Sequence, residues 1–226
     1  VEGDKPFFVY LPYTQTHVPV VPSKQFDGKS GNGHWGDVLM QIDAYTGMLL
    51  DKVTELGIAD NTVFIFTSDN GPEMAPTHQG WGGPWRGSYF TGLEGSLRVP
   101  FIIRWPGKVP AGKIDAETIF TGVDLLPTIA ALVGAQTPQN LDGENLVTAL
   151  AGQSIKRAGP HYWNDRPGWT TVRDKQWKAH LQRGRVRLFN ILQDPSESND
   201  LSQRLPERAS HYLALLEAWE AAVLNQ

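Results

Sequence analysis

The chain contains no cysteine, and this absence limits the chemistry that its side chains can perform. Disulfide bonds, thiolate metal sites and cysteine nucleophiles are excluded within these 226 residues, while the redox compartment stays open. The sequence also lacks any apolar run approaching the ~18 residues that a bilayer-spanning helix needs. We therefore predict that this chain has no membrane span.

Positive charge is not in excess either. Lys and Arg total 20 against 24 Asp and Glu, which gives a formal net charge of −4. Nucleic-acid-binding domains usually carry a basic surface, so we predict no nucleic-acid partner. One local basic cluster, Arg183, Arg185 and Arg187, fits a solvated strand face or, alternatively, a contact to phosphate or sulfate.

Hydrophobic periodicity predicts a strand–helix–strand order at the start of the chain. Phe7–Leu11 is a continuous apolar run, typical of a strand that is covered on both faces. Residues 37–56 follow the period of a helix that stops at Gly57, and Thr62–Thr67 forms a second strand-like run. This order is the unit of a parallel sheet with helical crossovers.

The rest of the sequence predicts two further regions. A glycine-rich loop over residues 70–97 leads to a strand at residues 99–105 and to helices at residues 123–133 and 141–150. From about residue 155, short strands at residues 170–172, 177–181 and 187–192 precede a closing helix at residues 206–224. We expect an α/β core at residues 1–154 and a small antiparallel subdomain at residues 155–226.

Polar side chains follow directly after the apolar strand at residues 62–67. Asp69 and Asn70 both offer hard oxygen donors, which suit Ca²⁺ or Mg²⁺. Ligands of open α/β sheets gather at the carboxyl ends of the strands, and Gly71 and Pro72 allow the backbone to turn sharply there. Taken alone, the same residues also fit a simple Asp-Asn-Gly turn.

Several segments, in the same order along nearly the whole chain, resemble the sulfatase family of the alkaline-phosphatase-like superfamily. They are residues 6–11 (PFFVYL), 16–19 (THVP), 56–62 (LGIADNT), 64–72 (FIFTSDNGP), 97–107 (LRVPFIIRWPG), 141–146 (LDGENL) and 188–197 (LFNILQDPSE). The resemblance implies an α/β fold with a mostly parallel sheet flanked by helices, present here in part, followed by the small antiparallel subdomain.

The resemblance also implies hydrolysis of sulfate monoesters carried by a small molecule or a carbohydrate. In the family, a formylglycine nucleophile acts with a divalent cation, usually Ca²⁺, with Mg²⁺ as the alternative. Asp69 and Asn70 match two of the metal ligands. His17 matches the histidine that contacts the sulfate ester and protonates the leaving group, although a lone loop histidine could instead cap a turn.

Three more residues are expected to bind substrate. His78 lies close to Asn70 in sequence and could edge the pocket, and Arg86 could supply a positive charge. Tyr89 stands where the family places a lysine; a tyrosine can donate a hydrogen bond but carries no charge near neutral pH. Substrate preferences of the relatives therefore transfer only in part.

Two expected features of the family are missing. The chain has no Cys/Ser-x-Pro-x-Arg motif, from which formylglycine is made, and no Asp-Asp pair for the other metal ligands. Because the first residues lack an initiator Met and signal-peptide character and lead at once into an apolar run, we expect a fragment of a longer protein. We predict that the isolated chain binds metal weakly and has no turnover.

Other readings stay open. An interrupted sheet would need its edge covered by the N-terminal half of the protein or by another copy of the chain. Two other functions fit the same residues: hydrolysis of phosphonate or phosphate monoesters, and a non-catalytic binding domain derived from a sulfatase. The resemblance favours a periplasmic, secreted or lysosomal location, although no residue of this chain identifies the compartment.

Overall fold

The computed structural model describes residues 5–75, 78–166 and 169–224, which divide into two compact units. The first unit contains residues 1–64, 73–80 and 103–108, and the second contains residues 65–72, 81–102 and 109–226. None of the helices in the described residues combines the length and apolar character that a membrane span requires.

The first unit is built around helix α1, Gly33–Glu55, which confirms the predicted helix and begins four residues earlier than expected. Val38 and Ile42 are buried on one side of α1. The carboxylate of Asp37 accepts hydrogen bonds from the backbone N–H groups of Gly28 and Ser30, at 2.9 and 2.8 Å. Asp37 thereby fixes the glycine-rich segment that precedes the helix.

The predicted strand at Phe7–Leu11 is wrong for this chain. The segment has no strand structure, and its side chains are between 51% and 81% exposed. A strand needs a neighbour for its N–H and C=O groups, and none of the described residues pairs with this segment.

A short hairpin, β2 (Met74–Ala75) with β3 (His78–Gln79), also belongs to this unit.

The strands predicted at residues 62–67 and 99–105 are present as β1, Phe64–Thr67, and β4, Phe101–Arg104. The two strands pair in a two-stranded sheet, a pairing that was not predicted from the sequence. Between them in sequence lies the one-turn helix α2, Glu94–Leu97.

Helix α3, Leu125–Val133, belongs to the second unit and follows a 3₁₀ turn that a reciprocal cap between Thr121 and Asp124 stabilises. The helix predicted at residues 141–150 is reduced to α4, Val147–Leu150. Residues before α4 are held differently: Glu144 N–H donates to Asp124 Oδ1 at 2.8 Å, and Leu146 N–H donates to Thr128 Oγ1 at 3.0 Å.

The second unit ends in a four-stranded antiparallel sheet covered by a helix, as predicted. The strands are β5 (His161–Arg166), β6 (Trp169–Asp174), β7 (Trp177–Gln182) and β8 (Arg185–Asn190), and the helix is α5 (Pro206–Leu224). Sequence reasoning missed β5. One face of the sheet packs its apolar residues against α5 around the buried Leu216. The opposite face carries polar and charged side chains, most of them buried.

Candidate functional site

The turn after β1 presents two exposed oxygen donors side by side. Asp69 Oδ1 accepts the N–H of Asn70 at 2.9 Å, and Asn70 Nδ2 donates to Gly71 O at 2.9 Å. These local bonds occupy one oxygen of Asp69 and the amide nitrogen of Asn70. Asp69 Oδ2 and Asn70 Oδ1 accept no hydrogen bond from the described residues, so both are available to a ligand.

A hard divalent cation fits these two atoms, because carboxylate and carboxamide oxygens are its preferred protein ligands. The pair is an incomplete donor set, however. Within residues 5–75, 78–166 and 169–224, no group of three or more His, Asp or Glu side chains could hold a metal ion.

The backbone of this turn contacts the segment around α2. Gly71 N–H donates to Ser96 O at 2.7 Å, and a Cβ at Gly71 would collide with the carbonyl oxygen of Gly95. Tyr89 N–H also donates to Pro72 O, at 3.3 Å. Only glycine fits at position 71 because the two backbones approach so closely.

Arg86 and Tyr89 lie on the loop that precedes α2. Arg86 Nη2 donates to the carbonyl oxygen of Glu197 at 2.6 Å, so part of this guanidinium already has a partner within the chain. The ring of the half-buried Tyr89 lies 4.2 Å from the ring of Phe90. The substrate-binding roles of both residues stay predictions.

His17 is exposed and lies in a turn of the first unit, where the backbone N–H of His17 donates to Thr14 O at 3.1 Å. Its Nδ1 lies 2.8 Å from Val18 O. A carbonyl oxygen can only accept, so Nδ1 carries the proton and Nε2 is left as the basic nitrogen. His78 has a backbone position in β3 opposite Ala75, but its side chain is outside the described residues.

The structure therefore brings Asp69 and Asn70 together and joins them, through the backbone around α2, to the loop of Arg86 and Tyr89. His17 and His78 belong to the other compact unit.

A buried ionic cluster on the polar face of the C-terminal sheet was not foreseen from the sequence. Lys178 Nζ lies 2.9 Å from Glu94 Oε1 and also 2.9 Å from Glu197 Oε1. His180 Nε2 lies 3.1 Å from Glu197 Oε1, and His180 Nδ1 lies 2.8 Å from Thr171 Oγ1. We refer to Glu94, Lys178, His180 and Glu197 as the ionic cluster.

Two arginines extend the cluster at Glu94. Arg98 Nε donates to Glu94 Oε2 at 2.6 Å, and Arg173 Nε lies 3.4 Å from Glu94 Oε1. Burial by itself raises the pKa of Glu94, but the charges of Lys178, Arg173 and Arg98 outweigh burial and lower this pKa to about 2. Glu94 is therefore ionised in the folded chain.

Glu197 and His180 have protonation states that allow a hydrogen bond between them. Burial favours the uncharged carboxyl of Glu197, yet the hydrogen bond from His180 and the charge of Lys178 lower its pKa. Burial is also the main reason why the pKa of His180 is lowered. A neutral His180 can donate from Nε2 to Glu197 while its Nδ1 accepts the hydroxyl of Thr171.

One sequence signal could have indicated the cluster. In the stretch WKAHL of β7, Lys178 and His180 alternate with Ala179 and Leu181, so the two polar residues share one face of the strand. Their acidic partners are distant in sequence, which is why the pattern alone did not identify them.

Comparison with protein families gives two overlapping matches. Residues 1–135 match the family described as Sulfatase, and residues 90–212 match the family described as N-sulphoglucosamine sulphohydrolase, C-terminal.

Individual relatives match the chain over most of its length. An N-acetylgalactosamine-6-O-sulfatase of Bacteroides thetaiotaomicron is 30% identical over 95% of the chain and 47% of the relative. Arylsulfatase A of Bos taurus is 34% identical over 96% of the chain and 48% of the relative. The chain thus spans about half the length of the curated relatives that it matches.

Solved structures confirm the fold. A 6S-sulfatase structure, reported with the metabolism of multiple glycosaminoglycans by Bacteroides thetaiotaomicron, superposes with a TM-score of 0.85 at 29% identity, over 96% of this chain and 51% of that one. Ps i-CgsB in complex with k-i-k-neocarrahexaose gives a TM-score of 0.84 at 29% identity, over 96% and 51% of the two chains.

A more distant neighbour, the phosphonate monoester hydrolase of Agrobacterium radiobacter, has a TM-score of 0.63 at 23% identity, over 84% of this chain and 41% of that one; at this identity it bears on the fold alone. The expected alkaline-phosphatase-like α/β fold is confirmed, and the chain belongs to the sulfatase family.

Proposed function

We propose that the protein containing this chain hydrolyses sulfate monoesters. The observation that carries the proposal is the turn after β1, where Asp69 Oδ2 and Asn70 Oδ1 stand exposed without a hydrogen-bond partner among the described residues, in a chain of the sulfatase family. Two unpartnered hard oxygens at the end of a strand suit the cation that such chemistry uses.

Asp69 and Asn70 would hold this cation, with Ca²⁺ as the expected ion and Mg²⁺ as the alternative. When bound, the ion supplies positive charge that offsets the charge of the sulfate group and increases the acidity of the nucleophile. Gly71, which is hydrogen-bonded to Ser96, keeps the backbone of this turn in place.

His17 is proposed as the acid for the leaving alcohol. The hydrogen bond from Nδ1 to Val18 O orients the ring and leaves Nε2 as the atom that takes up and releases a proton. When His17 is protonated, it can transfer the proton on Nε2 to the ester oxygen as the bond between that oxygen and sulfur breaks.

Arg86 and Tyr89 are proposed to contact the sulfate oxygens, and His78 to edge the pocket. Because Tyr89 is neutral, Arg86 would be the charged donor, and charged donors bind anions about twice as strongly as neutral ones. The N–H groups of the exposed Arg86 that do not bind Glu197 O would make this contact.

A sulfated carbohydrate is the substrate class that we favour. Two relatives of this chain are named N-acetylgalactosamine-6-O-sulfatase and N-acetylgalactosamine-6-sulfatase, and one structural neighbour was solved in complex with k-i-k-neocarrahexaose. An exported or lysosomal location is proposed together with this substrate.

The chain alone is proposed to be inactive. It carries no Cys/Ser-x-Pro-x-Arg motif for formylglycine, and its described residues contain no group of three or more acidic or histidine side chains that could complete a metal site around Asp69 and Asn70. The nucleophile and the remaining ligands would come from the N-terminal half of the protein, which would also cover the apolar residues 7–11; pairing with another copy of the chain is the alternative.

Turnover of matched aryl esters by the product of the complete gene tests the proposal. We expect hydrolysis of the aryl sulfate at a kcat/KM well above that for the aryl phosphate and the aryl phosphonate, and no turnover by residues 1–226 alone. A preference for phosphate or phosphonate would favour the alternative hydrolase, whereas binding of a sulfated ligand without any turnover would favour a non-catalytic domain.

A further inference from the structure

Glu197 combines an uncommon backbone conformation with a buried side chain. Its φ is +53°, in the left-handed region that glycine and asparagine tolerate better than glutamate. Its side chain is also completely buried, with 0% exposure. Both oxygens of this buried carboxylate make their contacts outside the turn.

Those contacts lead to the loop of the candidate site. Glu197 Oε2 accepts the N–H of Glu94 at 3.2 Å, while Oε1 is held by Lys178 and His180. The backbone carbonyl of Glu197 accepts Nη2 of Arg86 at 2.6 Å. One residue therefore fixes both ends of the segment from Arg86 to Glu94.

This segment in turn supports the proposed metal-binding turn. Gly95 N–H donates to Arg86 O at 2.9 Å, and Gly71 N–H donates to Ser96 O at 2.7 Å. The backbone of Gly92 lies directly against Thr171 and His180, where an added Cβ would have no room. A chain of contacts thus runs from Glu197, through the α2 segment, to the residue after Asn70.

We propose that Glu197 is a positioning residue of the active site, an inference that rests on the proposed function. Through Glu94 and Arg86, it holds the loop of Arg86 and Tyr89 and the turn of Asp69 and Asn70 in fixed places. Lys178 and His180 keep the Glu197 carboxylate buried and oriented. In this proposal, the buried ionic contacts of Glu197 serve to position the loop and the turn. Stability alone would not require them, because a well-packed apolar group is often at least as stabilising.

Hydrogen exchange of this chain tests the proposal without any need for activity. Glu197→Gln keeps the shape of the side chain but removes the charge that Lys178 and His180 bind. Tyr212→Phe is the matched control, because it deletes a 3.0 Å hydrogen bond to Asp174 Oδ2 between the same sheet and α5. Glu197→Asp, which keeps the charge with a shorter reach, is the milder second variant if Glu197→Gln folds poorly.

In Glu197→Gln, we expect the amide hydrogens of Gly71 and Gly95 to exchange faster than the change in global stability alone would explain. The excess should be about tenfold or more, because the variant loses a charge-assisted hydrogen bond. Glu197→Asp should give a smaller change in the same amides. In Tyr212→Phe, these amides should follow global stability. Proportional changes in all three variants would overturn the proposal.

Kinetics of the complete protein supply a second readout. We expect Glu197→Gln to lower kcat for an aryl sulfate by about ten- to hundredfold with a smaller change in KM, because misplacing the reacting groups affects the chemical step. Tyr212→Phe should retain the wild-type kcat. An unchanged kcat in Glu197→Gln would contradict a positioning role. If wild-type protein has no sulfatase activity, the proposed function fails, while the exchange result still tests the contacts of Glu197.

Discussion

At the scale of single residues, the folded chain holds ionisable groups in surroundings that change their protonation. His161 is 7% exposed, and burial, assisted by the positive charge of Arg157, lowers its pKa from 6.5 to about 4. The unfolded chain therefore binds a proton between pH 6.5 and pH 4 that the folded chain does not bind. Stability contributed by neutral His161 is present above pH 6.5 and is lost as the pH falls towards 4.

We predict that His161→Gln makes the free energy of unfolding less dependent on pH between 6.5 and 4. Urea denaturation at several pH values in this range measures the effect. A shallower slope is expected but not a flat one, because the buried His180 also has a lowered pKa and acts in the same direction. His211→Gln, at an exposed position of α5, should leave the slope unchanged. Identical slopes for His161→Gln and wild type would show that His161 titrates normally in the folded chain.

At the scale of secondary structure elements, α5 is stable because it covers the apolar face of the C-terminal sheet. Leu216 is completely buried there, next to Val172, Ala179 and Leu188. Elsewhere in the second unit, Leu192 is 76% exposed just after β8. The two leucines therefore separate the effect of burial from the effect of changing a leucine to alanine.

We predict that Leu216→Ala lowers the free energy of unfolding by about 2–5 kcal/mol, because it removes apolar contacts and leaves a cavity. Leu192→Ala should change it by less than about 0.5 kcal/mol. Chemical denaturation followed by circular dichroism measures both values. Equal effects of the two substitutions would mean that α5 does not pack on the sheet as described.

The glycine at position 92 is a second element-scale test, because it lets the loop before α2 lie against β6 and β7. A Cβ there would collide with the hydroxyl of Thr171, whereas a Cβ at Gly122 meets no atom within 4 Å. We expect Gly92→Ala to be destabilising by about 1–3 kcal/mol through steric overlap, and Gly122→Ala to be close to neutral. Thermal unfolding compares the two variants; a neutral Gly92→Ala would contradict the close contact between loop and sheet.

Elements whose signals are local could be predicted from the sequence. The apolar period of α1, the short runs of β1 and β4, and the face of α5 that carries Leu216 are all visible in consecutive residues. Elements that depend on partners could not. Phe7–Leu11 is apolar enough for a strand but pairs with no strand among the described residues. β5 is rich in polar residues, although it pairs with β6 along its length except for a register shift between Asn164 and Arg166.

In the candidate site too, features with a local signal could be predicted, whereas features that depend on distant partners could not. Asp69 and Asn70 are adjacent in sequence, so their meeting at one turn could be predicted. The ionic cluster could not, because Lys178 binds Glu94 across 84 positions and Glu197 binds the backbone of Glu94 across 103 positions. Pairings of this kind follow from the packing of the C-terminal sheet on the loop and not from any local pattern.

At the scale of the whole molecule, this chain belongs to the sulfatase family. It spans about half of its relatives, and the described residues contain the Asp69–Asn70 pair without a complete metal-binding group. Within the second unit, the C-terminal sheet stabilises the loop and the turn that the proposed chemistry needs. The negative charge of Asp69 is the main attraction that this turn offers to a cation, so the proposed metal site depends on Asp69 above all.

Asp69→Asn in the product of the complete gene tests that claim most directly, with Asp51→Asn, an exposed aspartate of α1, as the matched control. The measurement is the rate of aryl sulfate hydrolysis as a function of Ca²⁺ concentration. We predict that Asp69→Asn lowers kcat/KM by about hundredfold or more and raises the Ca²⁺ concentration needed for half-maximal activity, while Asp51→Asn behaves as wild type. Activity and Ca²⁺ dependence that are unchanged in Asp69→Asn would contradict the assignment of this turn as a metal-binding site.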